Sequence, residues 1–194
     1  EMYTFIDKGG DTITLRPEGT AGVARAFISN GLQQSLPLKL LYKGPMFRYE
    51  RPQKGRRRQF RQVGVEVLGV SSYQADIEII SLASNFLREL DLESEITLEL
   101  NTLGDNESRQ LYKERLLDYL DKYKNDLSKD SLNRLRRNPL RILDSKDPGD
   151  KNIVSNAPKI IDSLNHDSKQ FFENLCSGLE KLNISFKHNT NLVR

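Results

Sequence analysis

The stretch FRYERPQKGRRRQFRQVGVEV, residues 47–67, constrains the fold more than any other part of this chain. Seven lysines or arginines and one glutamate lie between Phe47 and Arg61, and an apolar run on every second position follows. Pro52 and Gly55 are residue types that favour turns. The stretch therefore predicts a β-hairpin whose turn is rich in arginine.

Side chains of a strand alternate between its two faces, so this hairpin has an apolar side and a polar side. The valines of the second arm share one face, and we expect that face to be buried. A slip of one residue would expose these valines, so the pattern predicts a single register. That register brings six side chains together on the opposite face: Arg48, Glu50, Arg56, Phe60, Gln62 and Glu66.

This polar face has the groups that a nucleotide beside a small zwitterion needs. Guanidinium groups bind phosphate oxygens through paired donors, and an aromatic ring stacks on a base. Carboxylates and a side-chain amide bind amines. The same pattern also describes a hairpin whose charged face lies in solvent, and periodicity alone leaves both interpretations open.

The remaining sequence predicts strands around a helical insertion. KGGD joins two short strands, EGTAGVARAFISN predicts a helix with Thr20 near its N-terminus, and a buried strand is expected to bend at Gly44 and Pro45. Residues 73–90 have helical spacing, and EITLELN alternates as a strand does. We predict an α+β fold with a largely antiparallel sheet flanked by helices, divided into a core (residues 1–104), a helical insertion (105–168) and a return to the core (169–194).

Composition restricts the class of protein. Hydrophobic residues make up 37% and charged residues 29%, as in globular proteins, and the net charge is only +3. The single Cys176 excludes an intrachain disulfide and favours a reducing, cytoplasmic setting. His166 and His188 lack ligand-like spacing, so we expect no metal site. No apolar run approaches the roughly 20 residues of a membrane span, so we expect no membrane partner.

Four segments resemble one family. GPMFRYERPQKGRRRQFRQVGVEVLG is similar to motif 2 of class II aminoacyl-tRNA synthetases, in the form carried by the histidyl-tRNA synthetase family. TLRPEGT resembles the segment of that family that binds the amino group of histidine, and NPLRILDSKDP resembles part of its insertion domain. NTNLVR resembles the start of its histidine-specific segment. The resemblance covers nearly the whole chain.

The resemblance implies activation of histidine by ATP to histidyl-adenylate, followed by transfer to the 3′ end of tRNA(His). It implies ATP with its Mg²⁺ as a substrate, contact with the tRNA acceptor stem, and a homodimeric parent protein. The implied ATP-binding residues are Arg48 at the α-phosphate, Glu50 at the adenine amine, Arg56 at the outer phosphates and Phe60 against the adenine ring. The implied histidine-binding residues are Glu18, Gly19, Thr20, Arg48, Gln62, Glu66 and Arg194, of which Arg48 and Arg194 also have catalytic roles.

Several alternatives stay open. A synthetase paralogue without ligase activity, such as the regulatory subunit of ATP phosphoribosyltransferase or a tRNA-sensing domain, shares the fold, although the intact ATP-binding set argues against it. A plain RNA-binding module would use the arginine-rich hairpin without binding ATP or histidine. Glu18 also suits a structural role in which its carboxylate stabilises the positive end of a helix dipole. Thr20 is equally suited to capping the helix N-terminus.

The basic residues outside the polar face have two interpretations. Arg57 and Arg58 of the turn, and the arginines of the insertion, suit either contact with tRNA phosphates or a solvated surface. The chain begins in a strand-like run at Glu1 rather than at a methionine, so we expect it to be a piece of a longer protein. Because motif 1 and motif 3 are not in this sequence, we expect the piece alone to be inactive.

Overall fold

The computed structural model describes residues 2–193, and the chain divides into two compact units, Glu1–Ser71 and Ser72–Arg194. The described residues combine α-helices with short, mainly antiparallel ladders, which confirms the predicted α+β class. None of the described helices has both the length and the apolar character needed to cross a membrane.

The first unit consists of two hairpins and one helix. The first hairpin pairs Phe5 with Ile13 in an antiparallel ladder, as KGGD between two strands predicts. The elements are β1 (Thr4–Ile6), β2 (Thr12–Thr14), α1 (Thr20–Ser29), a 3-10 helix (Leu32–Ser35), β3 (Leu38–Phe47) and β4 (Gln59–Leu68).

The long hairpin of β3 and β4 has the predicted register. Met46 lies opposite Phe60, and Leu40 lies opposite Glu66. The Arg48 amide donates to the Arg58 carbonyl at 2.9 Å and continues the pairing beyond β3. At the turn Gln53 bridges to Arg56, and Gly55 takes the positive φ of 79° that the turn requires.

The polar face of this hairpin is covered more, and its apolar face less, than we expect. Leu41 and Val63, on the apolar face, are 71% and 51% exposed. Gln62 and Glu66, on the polar face, are half-buried, and helix α1 packs on that side. The prediction of a buried valine face is therefore wrong at Val63, whereas Val65 and Val67 are half-buried, and the helix of this unit lies on the polar face.

Strand β3 is continuous from Leu38 to Phe47, through Gly44 and Pro45, where the sequence predicts a bend. The Phe47 amide donates to the Arg16 carbonyl at 2.9 Å. The backbone N–H groups of the odd-numbered residues in this part of β3 therefore point away from β4. Pro45 faces the same edge, and its missing N–H therefore removes no bond of the ladder. Its carbonyl accepts a hydrogen bond from Arg16 Nε at 2.9 Å.

The second unit is mainly helical. Its two short strands pair in parallel, with Glu99 opposite Lys187, and the strand expected in EITLELN is limited to two residues. The elements are α2 (Tyr73–Arg88), a 3-10 helix (Glu93–Glu95), β5 (Glu99–Leu100), α3 (Asn106–Asp121), α4 (Lys129–Arg137), a 3-10 helix (Pro139–Ile142), α5 (Pro148–Ser155), a 3-10 helix (Ile160–Ser163), α6 (His166–Lys181) and β6 (Lys187–His188).

Each of the four helices α3 to α6 begins at a polar residue whose side chain accepts a hydrogen bond from the first turn. These N-caps satisfy amides that have no partner within the helix. Apolar side chains of α3, α4 and α5 then pack into one buried cluster around Leu116 and Ile142, and a second cluster forms around Leu179 of α6. The N-cap residues are Asp105, Ser128, Asp147 and Asn165.

Asp150 is the polar centre of this unit and is completely buried. Its carboxylate accepts hydrogen bonds from the Ser128 amide at 2.9 Å and from the hydroxyls of Ser128, Ser131 and Ser145 at 2.7, 2.6 and 2.6 Å. Burial alone would raise the pKa of Asp150, but these four donors outweigh it and lower the pKa to about 2. The ionised carboxylate thereby joins α5 to the start of α4.

We expect acid to destabilise the second unit through Asp150. Because the folded pKa is about 2 and the ordinary value is 3.8, the carboxylate stabilises the fold above pH 4. This contribution, roughly 2 kcal/mol, is lost as the pH falls from about 4 to about 2. Urea unfolding followed by circular dichroism across this range measures it.

Asp150→Asn should remove this pH-dependent step and destabilise the unit at pH 7 by roughly 3 kcal/mol, because an amide cannot accept all four hydrogen bonds. Asp118→Asn, at an exposed position of α3, is the matched control and should keep the step. An Asp150→Asn variant with the wild-type pH profile would contradict this account.

Candidate active site

Arg48 is held firmly at the open end of the polar face. Its Nε donates to the Pro17 carbonyl at 2.9 Å, and its guanidinium carbon lies 4.9 Å from the centre of the Phe60 ring. The ring and the backbone contact fix the plane of the guanidinium group. Both residues are half-buried, so they present a rigid cation and a flat apolar surface side by side.

The turn beyond Arg48 is more exposed. Arg56 lies 3.6 Å from the Glu50 carboxylate, and their side chains are 64% and 32% exposed. Arg58 lies over the Tyr49 ring, 4.9 Å from its centre. An ion pair this exposed contributes little to stability, so Arg56 and Glu50 are free to exchange partners.

The start of helix α1 approaches the middle of the same face. The Glu18 carboxylate accepts the Ala21 amide at 3.0 and 3.2 Å from its two oxygens, so it stabilises the helix N-terminus. The N-cap is Gly19, and Thr20 is the first helical residue. The Thr20 hydroxyl does not cap the helix; it donates to Glu66 Oε1 at 2.7 Å.

Gln62 carries a buried acceptor without a donor. It lies on β4 between Phe60 and Gly64, and its Oε1 makes no hydrogen bond to any of the described residues. Leaving such an atom unpaired costs about 1–3 kcal/mol. Unpaired buried acceptors are rare in folded proteins, so any donor that reached this oxygen would be stabilised.

Tyr42 belongs to this face and was missed by the sequence analysis. A Cβ atom built on Gly64 would lie 2.1 Å from Tyr42 Cζ, and one built on Gly19 would lie 2.2 Å from Tyr42 Cε2. The ring is therefore enclosed by two glycines. The signal was present in the predicted register, because Tyr42 is the residue directly opposite Gly64.

Most of the candidate site residues lie on or beside this one face. Arg48 and Phe60 occupy one end, and Gln62, Glu66, Glu18, Gly19 and Thr20 surround the middle. Glu50 and Arg56 pair beside the turn. Arg194, which the resemblance implies at the α-phosphate, lies outside the described residues. Residues 2–193 contain no cluster of three or more histidine, cysteine or acidic side chains arranged to hold a metal.

The second unit has a basic groove of its own. A cavity of about 440 Å³ is lined by Arg109, Lys113 and Arg137, and otherwise by three amide side chains and Leu140. No carboxylate lines it, so the groove suits an anion. Arg134, by contrast, pairs with Asp130 within α4.

Comparison with known proteins gives a consistent set of relatives. A histidine–tRNA ligase of Rhodospirillum rubrum is 57% identical over 194 residues, which are 100% of this chain and 47% of that protein. A histidine–tRNA ligase of Gluconobacter oxydans is 53% identical, and the match covers 100% of this chain and 47% of that protein. The chain thus spans about half the length of the curated relatives that it matches.

Solved structures agree on the fold. The structure of apo histidyl-tRNA synthetase from S. aureus matches 100% of this chain with 45% of its own, at a TM-score of 0.77 and 36% identity. A protein of Bacillus halodurans, described as an ATP phosphoribosyltransferase regulatory subunit/histidyl-tRNA synthetase, has a TM-score of 0.65 at 22% identity, covering 99% of this chain and 53% of its own. At that identity the second likeness concerns the fold alone.

The sequence model described as Histidyl-tRNA synthetase matches residues 1–105, which include both hairpins, α1 and the whole polar face. This match extends over more than half of the 194 residues. The chain therefore belongs to the histidyl-tRNA synthetase family.

Proposed function

We propose that this chain is part of a histidine–tRNA ligase and carries its sites for histidine and ATP on the polar face of β3 and β4. The observation that supports this most directly is the buried, unpaired Oε1 of Gln62 between a fixed arginine and a carboxylate. A free amino acid offers an ammonium donor for such an oxygen and a carboxylate for the arginine. A hairpin whose polar face lies in solvent meets no ligand with these two groups, and the phosphate backbone of a nucleic acid offers neither an ammonium group nor a carboxylate.

The histidine end of the site is formed by Gln62, Glu66 and the start of α1. Gln62 Oε1 accepts a hydrogen bond from the ligand, and Glu66 contributes the carboxylate oxygen that Thr20 does not use. Glu18 and Thr20 complete the polar wall beside Gly19. Ammonium and imidazole N–H groups are donors, so this acceptor-rich wall suits histidine. An amino acid without a ring donor would leave acceptors unpaired, and such sites discriminate strongly.

The ATP end is formed by Arg48 and Phe60, with Glu50 and Arg56 beside the turn. Phe60 stacks on adenine, Glu50 accepts from the adenine amine, and Arg56 leaves Glu50 to bind the outer phosphates. Arg48 has its Nε bound to Pro17, which leaves its two terminal nitrogens to bind the α-phosphate and the histidine carboxylate. ATP enters with Mg²⁺ on its phosphate oxygens, as a substrate.

The first step joins two anions. A carboxylate oxygen of histidine attacks the α-phosphorus, the P–O bond to the β-phosphate breaks, and pyrophosphate leaves. Charge accumulates on the α-phosphate oxygens, and a fixed guanidinium stabilises it without reorganisation. In the second step a terminal ribose hydroxyl of tRNA(His) attacks the acyl carbon and loses its proton, the bond from that carbon to the phosphate oxygen breaks, and AMP leaves. Arg194 is a further candidate for the charge at the α-phosphate.

We propose tRNA(His) as the macromolecular partner and the cytoplasm as the site of action. The groove of Arg109, Lys113 and Arg137 and the exposed arginines of the turn suit acceptor-stem phosphates. We further propose that the full-length protein, meaning this chain within a polypeptide of its relatives' length, is a homodimer. The division into a core (residues 1–104 and 169–194) and an insertion (105–168) remains a proposal.

We predict that Gln62→Met in the full-length protein raises the KM for histidine roughly 10- to 100-fold in histidine-dependent ATP–pyrophosphate exchange. Methionine has a similar volume but lacks the carbonyl that accepts the ligand's hydrogen bond. The KM for ATP should stay within about twofold. Glu66→Ala should show the same selective loss, and an equal loss for both substrates would place these residues outside the amino-acid site. Arg61→Gln, on the exposed side of β4, is the control.

Arg48→Lys should lower the kcat of the exchange reaction about 100-fold, because an ammonium group cannot bridge two oxygens as a planar guanidinium does. Arg61→Lys makes the same chemical change on the opposite face of β4 and should retain at least half of the activity. Similar rates for the two variants would contradict the role of Arg48.

The RNA-binding alternative makes a different prediction. A plain RNA-binding module binds RNA with a steep salt dependence and has no site for histidine or ATP. We expect a non-hydrolysable histidyl-adenylate analogue to bind the full-length protein in calorimetry, and Gln62→Met to weaken that binding. RNA binding without any analogue binding would overturn the proposed ligase.

A further inference from the structure

We infer that Tyr42 is a positioning residue for the histidine site, and that Gly19 and Gly64 form the slot that holds its ring. The inference rests on the proposed function. Tyr42 is half-buried on β3, on the face that carries Gln62 and Glu66. Its role is to fix the distance between the start of α1 and strand β4.

The ring has a glycine on each side. On the strand side, a Cβ on Gly64 would lie 2.1 Å from Tyr42 Cζ and 2.3 Å from the hydroxyl oxygen. On the helix side, a Cβ on Gly19 would lie 2.2, 2.5 and 2.6 Å from three ring carbons. Real Cβ contacts of this length do not occur, so any larger residue at either position must displace the ring.

Both sides of this slot carry proposed histidine-binding groups. Gly19 immediately precedes Thr20, whose hydroxyl donates to Glu66 at 2.7 Å. Gly64 lies between Gln62 and Glu66 on β4, two residues from each. The Tyr42 ring therefore sets how far the helix start stands from the strand. Without the ring, the hydrogen bond from Thr20 to Glu66 would pull α1 towards β4 and narrow the space between Gln62 and Glu18.

The ATP end lies farther from the slot. Phe60 is four residues from Gly64, which is roughly 13 Å along an extended strand. Arg48 is held there by the Pro17 carbonyl and by the Phe60 ring. A defect at Tyr42 should therefore change the use of histidine much more than the use of ATP.

The ring rather than its hydroxyl performs this function. Within residues 2–193 the Tyr42 hydroxyl makes no hydrogen bond that fixes it, while the ring carbons are enclosed on both sides. Phenylalanine has the same ring and fits the same slot. A conservative variant should consequently rescue function, whereas alanine should not.

The experiment measures ATP–pyrophosphate exchange in the full-length protein with Tyr42→Ala and Tyr42→Phe. We expect Tyr42→Ala to raise the KM for histidine about tenfold or more, because small displacements of binding groups are costly, with the KM for ATP within about twofold. Tyr42→Phe should stay within about threefold of wild type for both substrates. Tyr123→Ala, an aromatic-to-alanine change in the other unit, is the control for general effects.

A double-mutant cycle tests the slot itself. Gly64→Ala should weaken histidine use strongly when Tyr42 is present, because its Cβ collides with the ring. In the Tyr42→Ala background the same change should cost little, since the added methyl group enters vacated space. The two effects should therefore be strongly non-additive. Thermal unfolding of each variant separates a loss of folding from a loss of histidine binding.

Three outcomes would overturn the inference: equal changes in the KM for histidine and ATP, loss of function in Tyr42→Phe, or additive effects of Gly64→Ala and Tyr42→Ala. These outcomes are distinct from a failure of the proposed function. If the wild-type protein shows no histidine-dependent exchange, the ligase proposal fails. If wild type is active and Tyr42→Ala behaves as wild type, only the role of Tyr42 fails.

Discussion

The antiparallel pairing of β3 with β4 determines which side chains of the first unit can meet one ligand. Strand side chains alternate strictly, so the pairing of Met46 with Phe60 places Arg48, Phe60, Gln62 and Glu66 on one face. A shift by one residue would leave the three β4 side chains together but move Arg48 to the opposite face. The helix start then needs only one side-chain hydrogen bond, from Thr20 to Glu66, to add its own polar groups to this face.

The charged side chains of this face are of two kinds: some are held in one position, and others are exposed and can change partners. Arg48 is immobilised by a backbone carbonyl and an aromatic ring, as a group that stabilises developing charge should be. Arg56 and Glu50, at the exposed turn, pair loosely and can separate when a larger ligand arrives. Between them and α1, the amide oxygen of Gln62 is unpaired, and in the proposed site the cost of leaving it unsatisfied would supply selectivity.

The hairpin and its register could be predicted because period-two alternation and turn residues are local signals. The sequence could not predict which face of the hairpin is covered, because that depends on the packing of α1 against β4. This packing includes a contact between residues 46 positions apart. For the same reason the sequence suggested Thr20 as a cap, whereas its hydroxyl has a distant acceptor. The slot around Tyr42 joins three separate segments. The alternation of EITLELN indicated a strand there, but not that its pairing with β6 is limited to two residues.

Pro45 and Arg16 together occupy one end of the outer edge of β3. Pro45 offers no amide on the outer edge of β3, its carbonyl accepts from Arg16, and the neighbouring Phe47 amide donates to the Arg16 backbone. An incoming strand would find no free amide at Pro45 or Phe47, which disfavours unwanted pairing with other chains there. Near Arg48, a further strand would therefore pair more readily along β4, which has no second strand partner among residues 2–193.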